Sequence, residues 1–98
     1  MDRSLFDEYL GNKLYEARVV RRISQEQMTE MTNELWLSDP KCHRKKGCTR
    51  STYTRYERGE ISMPIGFFKS ACSVLHLDWK EVFKEAQDYE FSHLDEID

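Results

Sequence analysis

The run from Thr49 to Gly59, Thr-Arg-Ser-Thr-Tyr-Thr-Arg-Tyr-Glu-Arg-Gly, constrains the fold more than any other stretch of the chain. Thr49 is a good N-cap, and Gly59 supplies the stop that a helix needs at its end. Between them the spacing predicts one short helix with two unlike faces. Arg50, Thr54 and Arg58 fall on one stripe, with Ser51 and Arg55 beside it, while Tyr53, Tyr56 and Glu57 face the other way. Arginines and small hydroxyls on one side, with rings on the other, suit a DNA groove. Arginine bonds guanine bidentately, and Ser or Thr reaches bases or phosphates.

The rest of the chain also reads as helical, with few strand signals. A first helix is predicted from about Leu5 to Arg22, with Phe6, Leu10, Leu14 and Ala17 facing a core. Ser24 is an N-cap with Gln27 as its capping-box partner, so a second helix starts at Gln25. Its apolar stripe is Met28, Met31, Leu35 and Trp36. The helix extends to about Leu37, and Ser38-Asp39-Pro40 ends it. Residues 41–47 form a polar, basic loop. Pro64 fits the first turn of a fourth helix, with Ile65, Phe68, Ala71, Cys72 and Leu75 inward. Asp78 and Glu81 resemble another capping box, which opens a fifth helix at Trp79 with Val82, Phe83 and Ala86 buried. Beyond Asp88 rings alternate with acids, a pattern that fits both a helical extension and a frayed tail. The expected organisation is an all-α domain over residues 1–88, followed by an acidic tail over residues 89–98.

At 98 residues, 39% hydrophobic and 34% charged, the chain supports a small core, which suits a marginal monomer or a dimer. No apolar run is long enough to span a membrane, and no signal peptide precedes the first helix. Cys42, Cys48 and Cys72 make an odd count and no disulfide framework, which points to a reducing cytoplasm. The net charge of −3 is unevenly divided. Residues 1–10 carry −2, residues 11–60 carry +4 and residues 61–98 carry −5. Within residues 41–58 seven basic residues face a single acid. Such a segment can neutralise phosphates while the acidic end limits non-specific binding, although a Lys/Arg run can equally be plain solvated surface.

Cys42, His43 and Cys48 lack both a zinc-type spacing and a fourth ligand, so no metal is expected. Cys48 then reads as a small turn residue and Cys72 as core. The three histidines are scattered and no glycine-rich phosphate loop is present, so neither an enzyme nor a cofactor is expected. Trp36 and Trp79 fit core packing or an interface.

Several of these residues fall in the order of a known family. Leu14, Arg18, Ser24-Gln25-Glu26-Gln27, Gly47-Cys48-Thr49-Arg50-Ser51-Thr52, Tyr56-Glu57-Arg58-Gly59, Pro64 and Leu75 resemble the Xre-type, lambda-repressor-like helix-turn-helix domain, over roughly residues 8 to 86. The resemblance implies a five-helix domain acting as a homodimer on a two-fold site in double-stranded DNA, with the third helix in the major groove. Arg50, Ser51 and Arg55 occupy the base-reading positions, and Thr54 lies on the same face. Gln25 and Thr49 occupy positions that bond phosphate, and Thr52 and Arg58 are placed to join them. Arg18 and Glu57 match a pair that forms an interior salt bridge. One departure stands out. The family joins its second and third helices by a short turn, whereas here residues 34–46 read as an inserted extension and basic loop. Lys41, Arg44, Lys45 and Lys46 would add phosphate contacts there, and the rival reading of the insertion is a structural flap or a dimer contact built on Leu35, Trp36 and Leu37. The expected function is a cytoplasmic transcriptional regulator, a repressor. The alternative is a protein-interaction module of the same fold, an antitoxin or anti-regulator, that binds a protein partner through the fifth helix and acidic C-terminus.

Overall fold

The computed structural model describes residues 4–93 of the chain. Five helices carry the described residues, with no strand among them: α1 Leu5–Val20, α2 Gln25–Ser38, α3 Arg50–Glu57, α4 Ile65–Val74 and α5 Trp79–Ser92. The domain is all-α, and no described helix is long and apolar enough to cross a membrane.

Local chemistry sets most helix starts. Ser4 and Thr49 accept from the backbone N–H three residues on, whereas Asp78 accepts from Lys80 N–H and caps α5 without the expected capping box with Glu81. Ser24 and Gln27 complete both halves of a capping box. Three helices end alike, with a backbone N–H reaching back five residues: Ile23 to Arg18 C=O, Glu60 to Arg55 C=O and Leu77 to Cys72 C=O. This closure requires a left-handed residue just past the cap. Gly59 fills that place in α3 at φ 72°, but Arg22 at φ 58° and His76 at φ 56° fill it after α1 and α4. Arg22 is therefore part of the turn, and α1 stops at Val20 rather than at the expected Arg22.

α1 packs on α5 and α2 on α4, and α3 touches both α1 and α2. Phe67 sits at the centre, fully buried, edge-on to Trp36 at 5.4 Å and against Tyr56 at 5.2 Å. Phe6 and Phe83 close the α1–α5 contact at 4.8 Å. Gly11 lets α1 cross the end of α3, because a Cβ there would collide with the Tyr56 and Glu57 carbonyl oxygens.

The inward faces of α2 and α4 differ from expectation. Met31 and Leu35 are 37% and 44% exposed, and α2 buries Thr29 and Thr32 beside Met28 and Trp36. Thr29 hides its hydroxyl by donating to Gln25 C=O at 2.7 Å, so a polar residue sits inside at little cost. On α4, Ile65 is 52% exposed and Phe67 takes the inward place. Trp36 is core, 5% exposed, rather than a surface anchor.

The division at residue 88 falls inside α5, which runs unbroken to Ser92. Tyr89 stacks on Tyr9 at 5.3 Å, and the Glu90 carboxylate accepts from Phe6 N–H at 3.3 Å. The acids Asp95, Glu96 and Asp98 lie outside the described residues. Residues 34–38 of the expected insertion belong to α2, and an irregular loop of residues 39–49 leads into α3.

Candidate functional site

The two faces of α3 are physically distinct. Tyr53, Tyr56 and Glu57 are buried; Arg50, Ser51, Arg55 and Arg58 are exposed, with Thr54 half-buried among them. These five outer residues and Glu60 line one open depression of about 530 Å³. Three guanidinium groups and two hydroxyls meet a single carboxylate there. The exposed Arg58 side chain lies 3.9 Å from the buried Oε2 of Glu60.

Beneath this surface runs a polar brace. The Glu57 carboxylate accepts from Arg18 Nε at 2.6 Å, Arg18 Nη2 at 3.1 Å and Gln25 Nε2 at 3.2 Å. Arg18 Nη1 donates to Ile23 C=O at 2.9 Å. Gln25 Oε1 accepts from the Thr54 hydroxyl at 2.9 Å, which also lies 3.0 Å from Arg50 C=O. Side chains from α1, α2 and α3 are thus joined in one chain of bonds. The hydrogen bond to Glu57 raises the Arg18 pKa against the opposing effect of burial. Burial first, then Glu57, pushes the Tyr53 phenol up beside them.

The residues expected at phosphates divide into three groups. Gln25 has both ends of its amide engaged inside the brace. Thr49 and Thr52 cap α3: Thr52 N–H donates to Thr49 Oγ1 at 3.2 Å, and the two hydroxyls are 3.2 Å apart. Lys41, Arg44, Lys45 and Lys46 are exposed on the loop, and none of them lines the α3 depression.

The loop has its own order. Asp39 starts a turn in which its C=O accepts from Cys42 N–H at 2.9 Å and its Oδ1 from Lys41 N–H at 2.9 Å. Asp followed by Pro40 suits such a turn, since Asp bonds the backbone two residues on and Pro presets φ. The Arg44 guanidinium lies over the Trp36 ring at 4.9 Å. At the far end Asn33 of α2 grips Cys48 twice, donating Nδ2–H to its C=O at 2.8 Å and accepting its N–H at 3.0 Å. Gly47 allows this approach, because a Cβ there would strike the Asn33 amide. Asn33 and the bridging role of Gln25 are missed by sequence reasoning. The one signal for Asn33 is a weak helix former kept inside a helix, next to a Gly-Cys pair distant in sequence.

Burial pushes the Cys48 thiol up to about 11 and the Cys72 thiol up to about 12, so both stay neutral near pH 7. Among the described residues no group of three or more His, Cys, Asp or Glu side chains is arranged to hold a metal ion. No protein-family model, curated protein or solved structure matches the chain.

Proposed function

We propose that this chain reads sequence in double-stranded DNA, as a cytoplasmic transcriptional regulator of the Xre, lambda-repressor-like type, acting as a repressor and as a homodimer on a two-fold operator. One observation carries the reading: Arg50, Ser51, Thr54, Arg55 and Arg58 share one open, cationic surface on a helix whose other face is locked into the core. A helix fits the major groove, where arginine distinguishes guanine by two bonds at once, each good pair contributing about 1–3 kcal/mol of discrimination. Arg50, Ser51 and Arg55 are the base readers. Thr54 forms the floor between them and keeps Gln25 in register. Arg58 and the loop lysines neutralise phosphates, and at the helix start the Arg50 and Ser51 N–H groups and the Thr49 and Thr52 hydroxyls meet the DNA backbone.

The test is selection of binding sites from a random duplex library, with wild type and an Arg50→Ala/Arg55→Ala variant at one salt concentration. Wild type should enrich a two-fold motif that the variant loses. A second reading, the protein-interaction module, draws support from Phe91, which is 78% exposed on α5 beside the exposed acids Glu85 and Asp88. Under that reading wild type enriches no duplex, and a Phe91→Ala variant loses a protein partner that Arg50→Ala/Arg55→Ala retains.

A further inference from the structure

Residues 39–49 have no regular structure, yet the loop is fastened at its start by the Asp39 turn, in its middle by Arg44 on Trp36, and at its end by Asn33 on Cys48. Its four cations are not alike. Lys41, Lys45 and Lys46 have no ion-pair or hydrogen-bond partner for their ammonium groups among the described residues. Arg44 instead covers a tryptophan that is itself 5% exposed and braced by Phe67. Burial raises the Cys48 thiol and the Tyr56 phenol, and the Arg44 charge is close enough to both to oppose that effect. A planar guanidinium stacked on a ring is a packing element as much as a charge, and lysine does not replace it there.

We infer that the inserted loop is a preformed clasp in which Arg44 and Asn33 are positioning residues, holding the loop as one body with the start of α3, while Lys41, Lys45 and Lys46 meet phosphates. Arg44 is then a latch and not a phosphate ligand. The inference rests on the DNA-binding reading and deepens it by dividing the roles of the four cations. Cys48 immediately precedes the Thr49 cap, so Asn33 fixes both where the loop ends and where α3 begins. A loop ordered before binding forfeits less conformational entropy when it docks.

The test compares Arg44→Lys, Arg44→Gln, Asn33→Ala and Lys45→Gln/Lys46→Gln. Duplex affinity is followed between about 50 and 200 mM salt, where each phosphate contact adds about 0.9 to the slope of log K against log salt. Amide hydrogen exchange at Cys48 is followed without DNA. The latch predicts that both Arg44 variants bind about three- to tenfold more weakly with the wild-type slope, because the loop must be ordered anew before the same contacts form. Lys45→Gln/Lys46→Gln should lower the slope by about 1.8. Exchange at Cys48 should quicken about tenfold in Asn33→Ala, the factor for one lost hydrogen bond, and measurably in both Arg44 variants.

A slope lowered by about 0.9 in Arg44→Gln, with Cys48 exchange unchanged, makes Arg44 a phosphate ligand and overturns the inference. Should Asn33→Ala fail to fold, as thermal melting will report, the exposed Arg44 variants decide. If wild type binds no duplex at any salt, the DNA-binding reading falls on its own, and Cys48 exchange in Arg44→Gln still decides the latch. Faster exchange supports it, and unchanged exchange removes it.

Discussion

Replacing Glu57 by alanine is the sharpest single perturbation this fold offers. The Glu57 and Arg18 side chains are 4% and 10% exposed, and the carboxylate holds three N–H donors. Its removal leaves the Arg18 charge buried beside the Ile23 carbonyl, the Tyr15 ring and the Tyr53 phenol, with no carboxylate among the described residues to balance it. Breaking a buried pair in this way typically costs about 3–5 kcal/mol, a large part of the roughly 5–15 kcal/mol that holds a small domain together. The whole pair is a different matter, because each charge also gave up hydration on folding. Arg18→Met/Glu57→Leu should therefore lie within about 1 kcal/mol of wild type, since no charge is left unpaired. Urea unfolding followed by far-ultraviolet circular dichroism measures both, and the m-value should stay constant. Under the proposed DNA-reading function, the paired variant should still bind a selected duplex more weakly than wild type. Gln25 keeps Thr54 but loses Glu57, and the Arg18–Glu57 half of the brace beneath Arg50 and Arg55 is gone. A cost below about 1 kcal/mol for Glu57→Ala, or a double variant as unstable as the single, would refute the argument that the charges are buried and interdependent.

Other predictions follow from local geometry. Above pH 9 an unfolded chain releases the Cys72 proton that the folded chain retains until about 12, so this thiol alone lowers stability with rising pH across that window by about 1.4 kcal/mol per pH unit, and Cys48 adds a similar fall up to about 11. Cys72→Ala should remove its share of that slope in melting curves and leave the share of Cys48, and an unchanged slope would show that the Cys72 thiol is accessible. Arg22→Gly and His76→Gly relieve left-handed backbone that costs a side-chain-bearing residue about 1–2 kcal/mol, offset in part by glycine entropy. Each should raise stability by about 0.5–1 kcal/mol, and a lower melting temperature would count against the assignment of these turns. Gly11→Ala should cost more than about 2 kcal/mol and weaken DNA binding with it, because α1 must back away from the Tyr56 and Glu57 carbonyls. Wild-type behaviour in both assays would mean that α1 and α3 separate freely.

Much of the framework is legible in the chain itself because it is written in local chemistry. Ser24 with Gln27, Thr49 with Thr52, Asp78 and Gly59 act within one turn of their own position, and one-turn logic predicts them. The two-faced character of α3 follows from spacing alone. Local logic fails where a distant neighbour decides. Met31 and Leu35 complete an apolar stripe, yet α2 turns Thr29 and Thr32 inward; Thr29 satisfies its hydroxyl on its own backbone, whereas the Thr32 hydroxyl is buried without a hydrogen-bond partner among the described residues. In α4 the run Ile65-Gly66-Phe67-Phe68 is apolar on every side, so spacing cannot say which ring leads. Gln25 reads as a helix-start residue free to meet an anion, but its reach to Glu57 and Thr54 depends on how α3 lies across α2. Asn33 offers locally no more than its low helix propensity, since its partner is fifteen residues away in sequence.

The contact between α1 and α5 sets the order in which this domain comes together at the ribosome. Phe6 packs on Phe83, and Ser4 and Phe6 bond Glu90, so α1 waits for α5 to be made. At translation speeds of about 5–20 residues per second the wait lasts several seconds. During that time α2 and α4 can already associate, while Phe6 and Tyr9 of α1 lack their ring partners Phe83 and Tyr89. The nascent chain is thus most sticky along α1, and a chaperone that acts before release has its natural target there rather than on the arginine helix. A chain cut before α5 should accumulate in the insoluble fraction even though every residue of the candidate binding surface is present.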